Sequence, residues 1–341
     1  MTPLCYGSIC LEGGDQIGKG DAFLNLRKDL LAQNVKLISV SFPIYSTPIG
    51  SCLRRLLVEG FPLHSSNDLN ELNIRMILFA LNRLEFLNTY LGDKRYHNSF
   101  VLLDRSPFSN ALTIAYALAN MENAKKEEIE EYVNCAMNFD SLMVSSLGLK
   151  RCVVQLYADN QEEESWRGRE SIENEDMYEK SKVQEISREV YGIFEKMIGT
   201  GWYRVPTKIG KSWRSRVDIL NDLKRIISDT YGDLPIDDEG VSSYSINFND
   251  IVSNLYCGAE WSADDQQKYL VASEGNDKDS MYTYALKLGL SSAYSTKAIK
   301  FQNENVRKEF KKLVKVEGVL DLIEYFLGKD FIFKLRVGLQ L

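Results

Sequence analysis

The first 230 residues predict an α/β fold, a parallel sheet flanked by helices. Three observations carry that reading. Short apolar runs recur along the chain, helical periodicity fills the stretches between them, and a glycine-rich loop, GGDQIGKG at 13–20, joins the first run to the first helical stretch. Short continuous apolar runs suit strands buried on both faces. Their alternation with helices implies a parallel sheet covered on both sides.

Taken in order, YGSICLE (6–12) is the first strand. The following helix, 21–33, is read from Phe23, Leu26 and Leu30, spaced i, i+3, i+7. VKLISVSF (35–42) is the second strand. A long helix over 68–91 keeps a similar rhythm through Leu69, Leu72, Met76, Phe79 and Leu87. FVLLDR (100–105), RCVVQLYAD (151–159) and WYRVPT (202–207) complete the strands, with helices expected over 176–198 and 213–229. YGDLPIDDEG (231–240), with Pro235, two glycines and four acids, reads as a linker. Three regions result: a domain over 1–230, the linker at 231–240, and a smaller mixed α/β domain over 241–341. In that last region helices are expected at 304–315 and 317–327, and the terminal FIFKLRVGLQL alternates like a strand.

Composition narrows the function. The 341 residues are 44% hydrophobic and 26% charged, with a net charge of −7. That balance suits a globular protein and gives no global attraction to nucleic acid or an anionic membrane. Six scattered cysteines form no CxxC pair, and with only His64 and His97 no zinc-site spacing exists. The expectation is free thiols in a reducing compartment, no secretory leader, no membrane span and a cytoplasmic location.

The loop carries the chemistry. Gly13, Gly18 and Lys19 satisfy GxxxxGK between a strand and a helix. Glycines let consecutive N–H groups turn inward, the helix N-terminus adds positive potential, and the lysine supplies a point charge for phosphates. Gly20 and Asp21 follow where a hydroxyl residue commonly stands. A carboxylate suits the first helical turn but repels a triphosphate unless it turns outward.

Four further segments follow in order: FPIYSTPIG (42–50), LFALNRLE (78–85), DRSPFSNALTIAYA (104–117) and SWRGRE (165–170). With GGDQIGKG they resemble the thymidylate kinase family of P-loop nucleoside monophosphate kinases, over roughly residues 5–230. The resemblance implies a P-loop domain that transfers the γ-phosphoryl group of ATP to dTMP, giving dTDP, with Mg2+. It implies that Lys19 and the backbone of Gly14, Gln16, Ile17, Gly18 and Gly20, beside Asp21, hold the ATP phosphates. It places Asp15 by the acceptor's sugar and phosphate, Arg105 between acceptor and donor phosphates, and Asp104 near the metal. Phe79 would stack on thymine, Arg83 would bond a base oxygen, and Phe42 and Leu57 would line the base pocket. Arg167 and Arg169 would close over the donor phosphates. A homodimer through kinase-domain helices is also implied.

Three departures stand against the family pattern. Tyr45 occupies the place of an arginine that holds the acceptor's phosphate. Ser106 and Thr113 stand where aromatic residues are usual, and Asp21 is the third. Three readings fit these residues: an active dTMP kinase, a catalytically impaired kinase fold used for binding or scaffolding, and a deoxynucleoside kinase.

Overall fold

The computed structural model describes residues 4–14, 17–45, 47–62, 68–158, 181–210, 212–238, 240 and 299–341. The packing of the chain forms two compact units. The first comprises Met1–Phe42, Ser65–Asn73 and Arg95–Ser245, and the second Pro43–His64, Ile74–Lys94 and Ile246–Leu341.

The first unit holds a five-stranded parallel sheet. Its strands are β1 (Gly7–Glu12), β2 (Leu37–Ser41), β3 (Phe100–Asp104), β4 (Val153–Tyr157) and β5 (Trp202–Pro206), in spatial order β2-β3-β1-β4-β5. Gly7 pairs with Phe100, Leu37 with the same Phe100, Cys10 with Val153, and Val153 with Trp202. Every residue of β1 is buried, as the unbroken apolar run requires. Alternate residues divide between two cores. Ile9, Leu11, Leu37, Leu102, Val154 and Val205 pack with α1 (Lys19–Ala32) and α8 (Arg216–Tyr231), through Phe23, Leu26, Leu223 and Ile227. On the other face Trp202 meets Phe108 and, from α7 (Ser181–Ile198), Tyr191. Helices α4 (Asn110–Asn120), α5 (Ile129–Phe139) and α6 (Ser141–Leu147) lie between β3 and β4 in the chain. A short hairpin, β6 (Lys208–Ile209) with β7 (Ser212–Trp213), follows β5.

The acidic segment after α8 is tied to the start of β2. Lys36 N donates to Pro235 O at 2.7 Å and Asp237 N to Asn34 O at 2.9 Å. Tyr231 packs at the start of the central strand β1, where its hydroxyl donates to Ser8 O at 2.7 Å.

In the second unit, α2 (Pro48–Glu59), the stretch of α3 (Asp68–Gly92) from Ile74 onward, α9 (Glu304–Leu313) and α10 (Val319–Leu339) are helical. Helix α2 starts at Thr47, whose side chain accepts from Gly50 N, with Pro48 in its first turn. Asn88 Oδ1 accepts from Gln302 N at 2.9 Å and Asn303 N at 3.2 Å, which fixes the entry to α9. Arg55 reaches the Phe326 carbonyl at 3.3 Å and lies 4.7 Å from that ring's centroid. Helix α10 is broken at Gly328, whose φ of 83° leaves the helical region.

The end of the chain departs from the sequence expectation. FIFKLRVGLQL is helical through Leu339, not a strand. Phe331, Leu335 and Leu339 fit both a period of two and an i, i+4 spacing. The fold takes the second, burying Ile332 and exposing Phe333 and Val337. The remaining residues assigned to a mixed α/β region, 241–298, lie outside the described residues.

Candidate active site

The glycine loop leaves the C-terminal edge of the sheet, where ligands of open α/β sheets bind. Gly13 and Gly18 have φ of 131° and 82°, values that glycine adopts without the strain of a Cβ. A Cβ on Gly13 would strike the carbonyl oxygen of Leu156. Gly18 then opens α1, and Lys19 is its first residue. Lys19 Nζ meets Asp104 Oδ1 at 2.9 Å, and Ser41 Oγ donates to Asp104 Oδ2 at 2.9 Å. The ends of β2 and β3 and the loop after β1 thus converge on one carboxylate. Burial alone pushes Asp104 upward. The charges of Lys19 and Arg105, with the hydrogen bonds from Lys19 and Ser41, outweigh it and hold the carboxyl below its usual range.

Arg105 has a φ of 65°, a left-handed conformation that costs a non-glycine residue about 1–2 kcal/mol. Its N–H donates to Leu11 O at 3.0 Å, so the turn is anchored to β1. The chain then enters a short turn in which Ser106 Oγ accepts from Phe108 N at 3.3 Å.

A buried acid beneath this corner escaped the sequence reading. Glu12, fully buried at the end of β1, accepts hydrogen bonds from Ser106 Oγ and Ser109 Oγ, both at 2.6 Å, and from Tyr191 OH at 3.1 Å. Burial raises its carboxyl above the usual range, and the two serines, Arg105 and Lys19 offset only part of that shift. Ser106, a departure from the family pattern, is therefore a partner of Glu12. The available signal was an acid ending a buried strand immediately before the glycine loop.

Asp21 pairs with Arg216 at 2.8 Å, and both side chains are largely exposed, at 52% and 73%. A cavity of about 210 Å³ lies beside Gly14, lined by Tyr157, Ser187, Arg188, Tyr191, Glu195 and Arg204 among others. Phe42 is buried, and its N–H donates to Asp104 O at 2.8 Å. Ile17 is buried and Gly20 exposed. Asp15, Gln16, Arg167 and Arg169 lie outside the described residues.

The second unit builds its own constellation. Phe79 and Arg83 share one face of α3, with the Arg83 guanidinium 5.8 Å from the ring centroid. Beside Arg83 in α3, buried Asn82 and Glu85 clamp the loop that leads into α2. Ile44 N donates to Asn82 Oδ1 at 2.9 Å, while Asn82 Nδ2 donates to Ile44 O at 3.2 Å, Thr47 Oγ1 at 2.9 Å and Glu85 Oε2 at 3.0 Å. Glu85 also accepts from Thr47 Oγ1 and, at 3.1 Å, from Ile49 N. Tyr45 sits inside this clamped loop, and the Arg54 guanidinium lies 5.7 Å from its ring centroid. Leu57 is buried on α2.

Among the described residues no helix is long and apolar enough to cross a membrane. No group of three or more His, Cys, Asp or Glu among them is arranged to hold a metal ion. The five described cysteines are free thiols.

The family model of thymidylate kinase matches residues 11–197. Among solved structures, thymidylate kinase from Candida albicans is 23% identical, covering 68% of this chain and 95% of that chain with a TM-score of 0.46. Thymidylate kinase from Ehrlichia chaffeensis is 15% identical, covering 66% of this chain and 100% of that chain with a TM-score of 0.42. No curated protein matches the chain. On the extent of the family match, the chain belongs to the thymidylate kinase family.

Proposed function

We propose that the protein is an ATP-dependent dTMP kinase. The observation that carries this reading is the cluster of Lys19, Asp104 and Ser41 at the mouth of the glycine loop. It sets one cation and one ionised carboxylate where a donor triphosphate and its metal would meet. Lys19 and the N–H groups of the loop from Gly14 to Gly20 hold the donor phosphates, Lys19 exchanging Asp104 for phosphate oxygens as ATP enters. Asp104 suits Mg2+, a hard ion that takes one or two carboxylates and fills its remaining positions with water and substrate phosphates. When bound, the ion neutralises charge on the β- and γ-phosphates.

The reaction needs positioning more than covalent chemistry. An oxygen of the dTMP phosphate forms a bond to the γ-phosphorus, the bond from that phosphorus to the bridging oxygen breaks, and ADP leaves. The attacking phosphate is already anionic near neutral pH, its second pKa being about 6, so no side chain has to act as base. Arg105 bridges the two phosphates, and Asp15 orients the acceptor's sugar. Phe79 stacks on thymine, Arg83 bonds its oxygen, and Phe42 and Leu57 close the apolar side. Arg167 and Arg169 complete the cover over the donor. A cytoplasmic homodimer belongs to the same reading.

The test is ADP release with ATP, Mg2+ and each of dTMP, dUMP, dGMP, AMP and thymidine, alongside Lys19→Ala. Turnover with dTMP that disappears in Lys19→Ala supports the proposal. Turnover with thymidine alone makes the protein a deoxynucleoside kinase. No turnover with any acceptor leaves a kinase fold used for binding.

A further inference from the structure

We infer that Glu12 is a positioning residue whose side chain holds the turn that carries Arg105. The inference rests on the dTMP kinase reading, which gives Arg105 the phosphates, and extends it to a buried acid that this reading leaves without a role. Four observations within the first unit lead to it.

Arg105 needs support. Its φ of 65° lies in the left-handed region, which a non-glycine residue keeps when its surroundings over-determine it. A guanidinium that meets two phosphates at once depends on that backbone, because a displacement of about 1 Å can cost a factor of about 100 in rate.

The support comes from two consecutive residues of β1. Leu11 O accepts from Arg105 N at 3.0 Å. Glu12 takes the residues that follow: Oε1 accepts from Ser106 Oγ and Oε2 from Ser109 Oγ, both at 2.6 Å.

The two serines are bound into the turn as well. Ser106 Oγ accepts from Phe108 N at 3.3 Å, and Ser109 Oγ from Ser106 N at 3.4 Å. Each hydroxyl thus accepts from the backbone of the turn and donates to the carboxyl, so a shift of Glu12 is passed to the backbone beside Arg105. Tyr191 OH, from α7, donates to Oε2 at 3.1 Å and steadies the carboxyl from another element.

The arrangement suits a carboxyl. It offers two acceptor oxygens on one planar group, which neither an amide nor a hydroxyl does. The charges of Arg105 and Lys19 both act on Glu12, so the acid lies among the groups proposed for the phosphates. Ser106 departs from the family pattern, so this form of the brace belongs to this chain.

The experiment is a double-mutant cycle read as initial rates of phosphoryl transfer to dTMP. Glu12→Met removes both acceptor oxygens at similar volume. It is expected to lower kcat roughly 10- to 100-fold, with the KM for ATP little changed. Glu12→Gln, which keeps one oxygen, should lose less. In an Arg105→Ala background neither change should lower kcat further, because the residue it positions is gone. Unchanged kcat, or losses that multiply with that of Arg105→Ala, overturn the inference. The second arm is NMR of the chain carrying isotope-labelled arginine, the Arg105 Nε–H signal being the one that Arg105→Lys removes. That signal should shift or broaden in the Glu12 variants while the other arginine signals stay. Where Glu12→Met disturbs them all, the milder Glu12→Gln is read instead. An unmoved Arg105 signal overturns the inference. If the unmodified chain transfers no phosphoryl group, the kinase reading falls, and the NMR arm alone decides whether Glu12 places Arg105.

Discussion

Replacing Glu85 by alanine should damage both the stability of the second unit and the handling of one substrate. Glu85 is fully buried and accepts from Thr47 Oγ1, Ile49 N and Asn82 Nδ2. Two of these donors keep other partners. Thr47 retains the Ile44 carbonyl, and Asn82 retains Ile44 and Thr47. Ile49 N lies in the first turn of α2, where no intrahelical acceptor exists. It is the group left stranded. A stranded buried donor costs about 1–3 kcal/mol, and losing the other two hydrogen bonds to Glu85 adds to it. The total is roughly 2–4 kcal/mol, which for a unit of this size lowers Tm by roughly 5–12 °C. Initial rates with each substrate varied in turn give the second readout. The KM for dTMP should rise while the KM for ATP stays constant, because the clamp holds only the acceptor loop. Glu85→Gln, which keeps size and one acceptor oxygen, should fall between. A Tm within about 1 °C of the parent, or equal increases in both KM values, would refute the reasoning.

Other outcomes follow from the first unit. Burial raises the Glu12 carboxyl, so the folded state favours its proton. The associated stability is complete below the unfolded value of about 4.3 and is lost as pH rises through the folded value. Glu12→Gln should therefore gain Tm relative to the parent as pH rises across that window, and a difference flat with pH would contradict the assignment. Asp21→Ser breaks only an exposed ion pair. It should leave Tm unchanged and alter the KM for ATP by less than about threefold; a tenfold fall in that KM would mean that the carboxylate faces the phosphates.

Local features proved legible in the sequence, and long-range partnerships did not. The strands were visible because they are short apolar runs, wholly buried in β1 and buried in four of five residues in β3 and β4. The glycine loop was visible because Gly13, Gly18 and Lys19 are fixed by short spacing. Helix α4, NALTIAYALAN, has seven of its eleven residues buried, so it shows little of the one-sided rhythm that marks α1. FIFKLRVGLQL fitted two periods at once, and only packing chose between them. Glu12 finds Ser106 and Tyr191 94 and 179 residues away, and Asn82 finds Ile44 at a separation of 38. No local pattern announces such partners. Even so, both side chains are polar residues on elements otherwise built for burial, and in each case that mismatch was the available clue.

The most direct measurement is the fate of the phosphoryl group itself. ATP labelled at the γ-phosphate is incubated with Mg2+, dTMP and the full chain, and the nucleotides are separated. The account predicts label in dTDP, equal in amount to the ADP formed, and none in either product with Lys19→Ala. Label recovered only as inorganic phosphate, or unchanged ATP at high protein concentration, would contradict it.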